Sequence, residues 1–168
     1  MGIWSGIKHA LNSTLGTSSF KPLNTMIEEA KTSILNAIEG QRTLAASDSV
    51  LKVLYSGSSY TSSSGKSIGF FTPKKSGSVR IHAKMQTTNA ESSRIFTIAL
   101  RQNGSNISTT TVDMSSNSGA TKNYEKSFDV PVSANVKYEV WCYTSSGSAY
   151  VTELSLCATI VDTSLIEI

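Results

Sequence analysis

The segment Ser78-Val-Arg-Ile-His-Ala-Lys-Met-Gln86 alternates apolar and polar residues with a strict period of two. Successive side chains of an extended chain point to opposite sides, so Val79, Ile81, Ala83 and Met85 share one face. The polar residues between them share the other face. The segment therefore has the pattern of a β-strand with one buried and one hydrated face.

Similar alternation recurs on both sides of this segment, and turn-forming residues separate the repeats. We expect an antiparallel two-sheet β-sandwich, mainly β and with jelly-roll-like connections. The predicted strands cover residues 49–56, 67–72, 78–88, 93–102, 107–113, 123–132, 136–144 and 149–161.

Turn-forming residues predict where consecutive strands are connected. Asn103-Gly104, between two alternating segments, is the strongest hairpin signal in the chain. Ser146-Gly147 marks a second candidate hairpin, and the serine-rich segment Ser56–Ser67 is predicted to be a mobile loop.

The alternation within each strand predicts which side chains form the core. The predicted inward face contains Leu51, Val53, Tyr55, Phe70, Val79, Ile81, Met85, Phe96, Ile98, Leu100, Phe128, Val130, Tyr138, Val140, Leu154, Leu156 and Ile160.

The N-terminal part of the chain has helical spacing instead. We predict a first helix over about residues 3–15 and a second that begins after Pro22 and ends at Gly40. The chain is thus expected to contain a helical docking or oligomerisation segment, residues 1–45, and a β-sandwich domain, residues 46–168. A wide apolar stripe must cover another surface, because a short helix is marginal alone in water. The residues assigned to this contact are Leu23, Ile27, Ile34, Leu35 and Ile38.

Composition excludes several classes of protein. A net charge of +3 over 168 residues, with a single Lys74-Lys75 doublet, argues against a nucleic-acid partner. No apolar run reaches the length of a membrane span, and no signal peptide is recognisable, so we expect synthesis in a cytoplasm without membrane association. Cys142 and Cys157 are expected to be packed thiols, with no disulfide between them.

No group of residues predicts catalysis, a metal site or a cofactor. Ser64-Gly65-Lys66-Ser67 resembles the end of a phosphate-binding loop, but Tyr60 stands where that motif needs its first glycine. Two histidines, His9 and His82, are too few for a zinc site with paired ligands. We therefore expect a protein without enzymatic activity.

Large aromatic residues on a predicted outward face call for an explanation. Trp141 and Tyr143 share the parity of Lys137 and Glu139, and Tyr150 follows on the next strand. Such residues line a subunit interface, lie beneath the N-terminal helices, or stack on a sugar ring. All three alternatives stay open on the sequence alone.

Three segments resemble small tail-tip or baseplate proteins of tailed phages that infect Gram-positive bacteria, such as Bacillus phages. The arrangement is similar to the N-terminal shoulder sandwich of lactococcal phage receptor-binding proteins, in which a helix precedes the sandwich. The three segments are Leu15-Gly-Thr-Ser-Ser-Phe-Lys-Pro-Leu-Asn24, Phe71-Thr-Pro-Lys-Lys-Ser-Gly-Ser-Val-Arg-Ile81 and Phe128-Asp-Val-Pro-Val-Ser-Ala-Asn-Val-Lys-Tyr138.

This resemblance implies a virion structural protein of the tail, an adaptor or an accessory of host adsorption, that is synthesised in the host cytoplasm. It also implies a homo-oligomer, with a trimer favoured, and other tail or baseplate proteins as partners. No part of the sequence corresponds to the saccharide-binding head of those receptor-binding proteins. The alternative is a carbohydrate-binding module that recognises cell-wall saccharides through Trp141, Tyr143 and Tyr150.

Overall fold

The computed structural model describes residues 21–41, 43–88, 93–115, 119–160 and 162–168, without the side chains of 36 and 38–41. The predicted helix at 3–15 lies outside the described residues. The chain divides into two compact units, Met1–Arg42 and Thr43–Ile168. The described part of the first unit contains one helix, and the second unit is a mainly β domain.

The described elements follow one another along the chain with short connections. One helix, α1 (Leu23–Gln41), precedes nine strands, and a 3-10 turn at Thr163–Leu165 precedes the last of them. The strands are β1 (Val50–Thr61), β2 (Lys66–Pro73), β3 (Gly77–Thr87), β4 (Ile95–Gln102), β5 (Ser105–Asp113), β6 (Lys122–Val132), β7 (Tyr138–Thr144), β8 (Ala149–Cys157) and β9 (Ile166–Glu167).

The strands form two antiparallel sheets. Sheet 1 has the order β1-β8-β3-β6, and sheet 2 has the order β5-β4-β7-β2-β9. In sequence order, the first eight strands form four nested pairs. The first strand pairs with the last and so on inward: β1 with β8, β2 with β7, β3 with β6, and β4 with β5. These nested pairs, divided between two sheets, are the topology of a jelly roll. The predicted fold class is confirmed.

The core lies between the sheets and comes from the alternation that predicts the strands. Val79, Ile81, Ala83 and Met85 of β3 are at most 1% exposed. Phe71 of β2 stacks on Tyr138 of β7 at 5.4 Å between ring centroids. Each large apolar side chain buried here contributes about 1.5–3 kcal/mol relative to an exposed one.

Two predicted core residues point outward, and irregular pairing explains both. Phe70 is exposed while Phe71 is buried, because the β2–β7 register shifts between Ser67 and Gly69. Val53 is exposed beside a shift of the β1–β8 register between Val53 and Tyr55. A bulge adds one residue and reverses the parity of the side chains that follow.

Two further local predictions are wrong. Ser56–Ser67 is not a loop over most of its length, since β1 continues to Thr61 and β2 begins at Lys66. No hairpin forms about Ser146-Gly147, because β7 and β8 belong to different sheets. The short β9 was not predicted, since two residues show no periodicity.

The Asn103-Gly104 hairpin is confirmed. Both residues have positive φ, 51° and 81°, and Gln102 pairs with Ser105 on either side of the turn. Positive φ at both central residues is the signature of the two-residue turn that matches strand twist. Of the connections between consecutive described strands, this one alone stays within a sheet.

Candidate functional site

The apolar residues of α1 are all open to solvent where the structure describes them. Leu23, Met26, Ile27, Ile34 and Leu35 are each more than half exposed, Leu23 at 70%. A soluble helix normally buries such side chains, since the fold gains most of its helical stability from packing. The exposed stripe therefore indicates a contact surface.

The spacing of this stripe has the period of a coiled-coil seam. Leu23, Ile27, Ala30, Ile34 and Ala37 recur at alternating intervals of four and three residues along α1. Such spacing keeps one narrow face directed at a partner helix. We name these five residues the α1 seam.

The remaining residues assigned to the helix contact fall outside the seam. Leu35 is exposed but lies about 100° around the helix from Ile34, given 3.6 residues per turn. The side chain of Ile38 lies outside the described residues, although its backbone belongs to α1. The polar side of the helix carries two ion pairs, Lys21–Glu29 at 2.7 Å and Glu28–Lys31 at 3.6 Å.

Trp141 lies on the outward face of sheet 2 and is held on two sides. The guanidinium carbon of Arg101 sits 4.5 Å from the centroid of the indole. Gly65 approaches the indole so closely that a β-carbon there would overlap its Nε1, and φ at Gly65 is +73°. Arg101 also forms an ion pair with Glu139 at 3.5 Å. One face of this ring is therefore occupied within the chain itself.

The three predicted aromatic residues do not form one surface. Tyr143 lies beside Trp141 on β7 and pairs with Thr97 of β4 in sheet 2. Tyr150 lies on β8 in sheet 1, where its ring contacts Tyr60 edge-on at 5.7 Å. Only Trp141 and Tyr143 are available to a common ligand or partner. The saccharide alternative stays a prediction.

A shallow depression of about 260 Å³ adjoins Arg101 on sheet 2. Phe70, Lys137 and Glu139 line it, and the Lys137 ammonium lies 4.7 Å from the Phe70 ring centroid. Its volume is below the roughly 300–1,000 Å³ of typical ligand pockets. Arg101 is not predicted as a site residue from the sequence, because its proximity to Trp141 follows from the β4–β7 pairing, which local patterns do not predict.

A network of charged side chains lies on the outward face of sheet 1. Arg80 donates from Nε and Nη2 to both carboxylate oxygens of Asp129 at 2.7 and 3.1 Å, and from Nη1 to Asp48 at 2.6 Å. The hydrogen bond from Arg80 lowers the pKa of Asp129, and the same bond raises the pKa of Arg80. This network fastens β3 to β6 and to the segment before β1.

His82 lies on β3 between Arg80 of this network and Lys84. Its Nδ1 is 2.8 Å from the hydroxyl of Ser127, and Lys84 pairs with Glu153 at 3.2 Å. A histidine next to a serine is one element of nucleophilic catalysis. Catalysis also needs a second group to orient the base and an oxyanion site at the reacting atom. The hydrogen bond between His82 and Ser127 by itself supplies only the first of these elements.

The two cysteines are free and buried. Cys142 belongs to sheet 2 and Cys157 to sheet 1, so their strands do not pair. Burial raises the pKa of the Cys142 thiol far above its ordinary value, and desolvation also raises that of Cys157. Both are packed thiols of low reactivity, as the sequence predicts.

Across the described ranges, no three metal-ligating side chains come together in a cluster. The same part of the chain contains no helix that is long and apolar enough to span a membrane.

Comparisons with known proteins do not assign the chain to a family. No protein-family model matches it. No curated protein matches it either.

Solved structures match at low similarity. Dimeric latent PorU from Porphyromonas gingivalis aligns with a TM-score of 0.38 and 15% identity, over 67% of this chain and 13% of PorU. This chain therefore spans a small part of that protein.

Two crystal structures of a pentameric capsid protein isolated from metagenomic phage sequences align along nearly their full lengths. The TM-scores are 0.30 and 0.29, each at 16% identity, over 96% and 95% of this chain and 92% and 93% of theirs. At these TM-scores the likeness carries no argument about what this chain does.

Proposed function

We propose that this chain is a non-enzymatic structural protein of a phage particle that self-associates through α1. The observation that carries self-association is the α1 seam, whose apolar residues are exposed in the single chain. Self-association through the seam would remove this apolar surface from water, which favours the assembled state.

The proposed position in the particle is the tail tip or baseplate. It rests on the resemblance of three sequence segments to tail-tip and baseplate proteins, together with a helix that precedes a sandwich. Jelly rolls occur in viral capsid proteins, in lectins and in cupins, so the topology agrees with a virion role without selecting it. In this proposal the partners are other copies of the chain and neighbouring tail proteins.

The outward faces of both sheets support the non-enzymatic part of the proposal. Polar residues there pair with one another across strands, as in Arg80–Asp129 on sheet 1 and Arg101–Glu139 on sheet 2. Cross-strand pairs of this kind stabilise a sheet surface. A surface of satisfied pairs suits contact with another protein better than turnover of a small substrate.

The test compares two double variants of the intact chain by light scattering coupled to size exclusion. Ile27→Lys with Ile34→Lys places two charges in the seam, while Thr25→Lys with Thr32→Lys adds the same charges on the opposite side of the helix. We expect the parent chain and the threonine variant to have the mass of three chains of 18.0 kDa, or a multiple of three where trimers associate further through another surface, and the isoleucine variant to have less.

Equal masses for the two variants would contradict self-association through the seam. If the parent chain has the mass of five copies and only the isoleucine variant has a lower mass, self-association through the seam is supported and a pentamer replaces the expected trimer. Far-UV circular dichroism checks that the sandwich is intact in both variants, since every substituted side chain is exposed.

The location in the particle has its own test. Antibodies against the purified protein are applied to intact particles of the phage that encodes it, and the label is located by electron microscopy. We expect label at the distal end of the tail. Label on the head, or none on intact or partly disrupted particles, would contradict a tail-tip position.

A further inference from the structure

The four edges of the sandwich differ in how well they are protected against further strand pairing. The edge strand β1 has three register shifts against β8, and β9 is two residues long. The edge strand β6 carries Pro131 and four charged residues, Lys122, Glu125, Lys126 and Asp129. Bulges, shortness, proline and charge are the features by which proteins prevent association at sheet edges.

Strand β5 lacks most of these features. It is nine residues long, contains no proline and no basic residue, and has a single register shift, next to Ile107. Within the described residues it pairs only with β4. Half of its backbone donors and acceptors therefore point away from the sheet, in position to bond another strand.

We propose that β5 pairs with β5 of a second copy of this chain, antiparallel and about a twofold axis at Thr109. Thr109 is the midpoint of Ser105–Asp113, so this register uses the whole strand. The pairing joins sheet 2 of both copies into one sheet. It is a contact in addition to the α1 seam and does not depend on it.

The side chains of β5 favour this partner over an unrelated strand. In the proposed register Thr109 lies opposite Thr109 of the second copy. Ser108 lies opposite Thr110, and Ile107 opposite Thr111, of that copy. Threonine and serine pairs across strands are stabilising, and β-branched residues suit strands. Asp113, the one charged residue of β5, faces Ser105, so no like charges meet.

Disulfide trapping tests the register with one substitution at a time. Residues directly opposite on antiparallel strands have Cα atoms about 4.5–5.5 Å apart, within the range of a disulfide. Thr109→Cys would bring two thiols together at the axis. The matched control Thr111→Cys is exposed on the same face, but its thiol would be roughly 13 Å from its copy, too far to bond.

Each intact variant is treated briefly with diamide, which takes two electrons and two protons from a pair of thiols as one S–S bond forms. The native cysteines are buried and contribute little. On a non-reducing gel we expect a band at twice the 18.0 kDa chain mass, formed at least about tenfold faster by Thr109→Cys than by Thr111→Cys.

Equal rates in the two variants would mean random collision and would overturn the proposal. Absence of the dimer band in Thr109→Cys would also overturn it, provided circular dichroism shows the parent fold. Combining Thr109→Cys with Ile27→Lys and Ile34→Lys separates the two contacts: the band should persist if β5 pairs independently of the seam. Loss of the dimer band in this combined variant would mean that the β5 strands meet only when the helices assemble. That result would overturn pairing of β5 independent of the seam.

Discussion

At the scale of single residues, the bidentate contact between Arg80 and Asp129 predicts how stability changes with pH. Their hydrogen bond lowers the pKa of Asp129 in the folded protein, while an unfolded aspartate has an ordinary pKa near about 3.9. The contribution is therefore fully present above that ordinary value and is lost as pH falls through the lower, folded value. Asp129→Asn should reduce the free energy of unfolding at pH 7 and have a smaller effect near pH 2.

Urea unfolding at both pH values measures this difference. Glu125→Gln is the matched control, because Glu125 is an exposed carboxylate on the same face of β6, without the Arg80 contact. An equal loss of stability for Asp129→Asn at the two pH values would contradict the assigned role of its charge.

Residue positions in the core could be predicted wherever pairing is regular. On β3 the period of two assigns Val79, Ile81, Ala83 and Met85 correctly to the inside. The same rule fails at Phe70, because one extra residue in β2 changes parity, and neighbouring phenylalanines give no signal of which one is buried. Bulges depend on the partner strand, so a single strand's sequence does not reveal them.

At the scale of elements, the β4–β5 hairpin depends on one glycine. Gly104 has φ of +81°, a region that costs other residues about 1–2 kcal/mol. Gly104→Ala should lower the free energy of unfolding by about 1 kcal/mol with an unchanged denaturant slope. Asn103→Asp, at φ of 51°, is the control, since both side chains tolerate this conformation.

Hydrogen exchange locates the effect of this substitution. Faster exchange in β4 and β5 of Gly104→Ala would agree with a weakened hairpin. Unchanged stability in urea would show that the turn does not constrain these strands.

The positions of the strands were easier to predict than the pairing between them. Eight strands are predictable from the sequence because each has a hydrated face and turn residues at its ends. Their pairing does not show, since most connections cross from one sheet to the other and local signals such as Ser146-Gly147 suggest hairpins that do not form. The same limit applies to the candidate site. The alternation along β7 predicts that Trp141 faces outward, whereas its contacts with Arg101 and Gly65 depend on the three-dimensional fold.

At the scale of the whole molecule, the described residues present two exposed features, the α1 seam and the edge of β5. Among the described residues, the first exposes apolar side chains on the helix and the second exposes backbone hydrogen-bonding groups on the strand. The proposed assembly would satisfy both. The apolar periodicity of the helix was predictable from sequence, whereas its exposure and the status of β5 as an edge were not.

Amide hydrogen exchange of α1 as a function of protein concentration tests self-association through the seam most directly. Helices in proteins gain most of their stability from packing of an apolar face, so the protection of the 19-residue α1 should come from assembly. We predict that α1 amides are protected at high concentration and lose protection on dilution, while β3 amides stay protected throughout. Protection of α1 that is independent of concentration, whether strong or absent, would contradict the account.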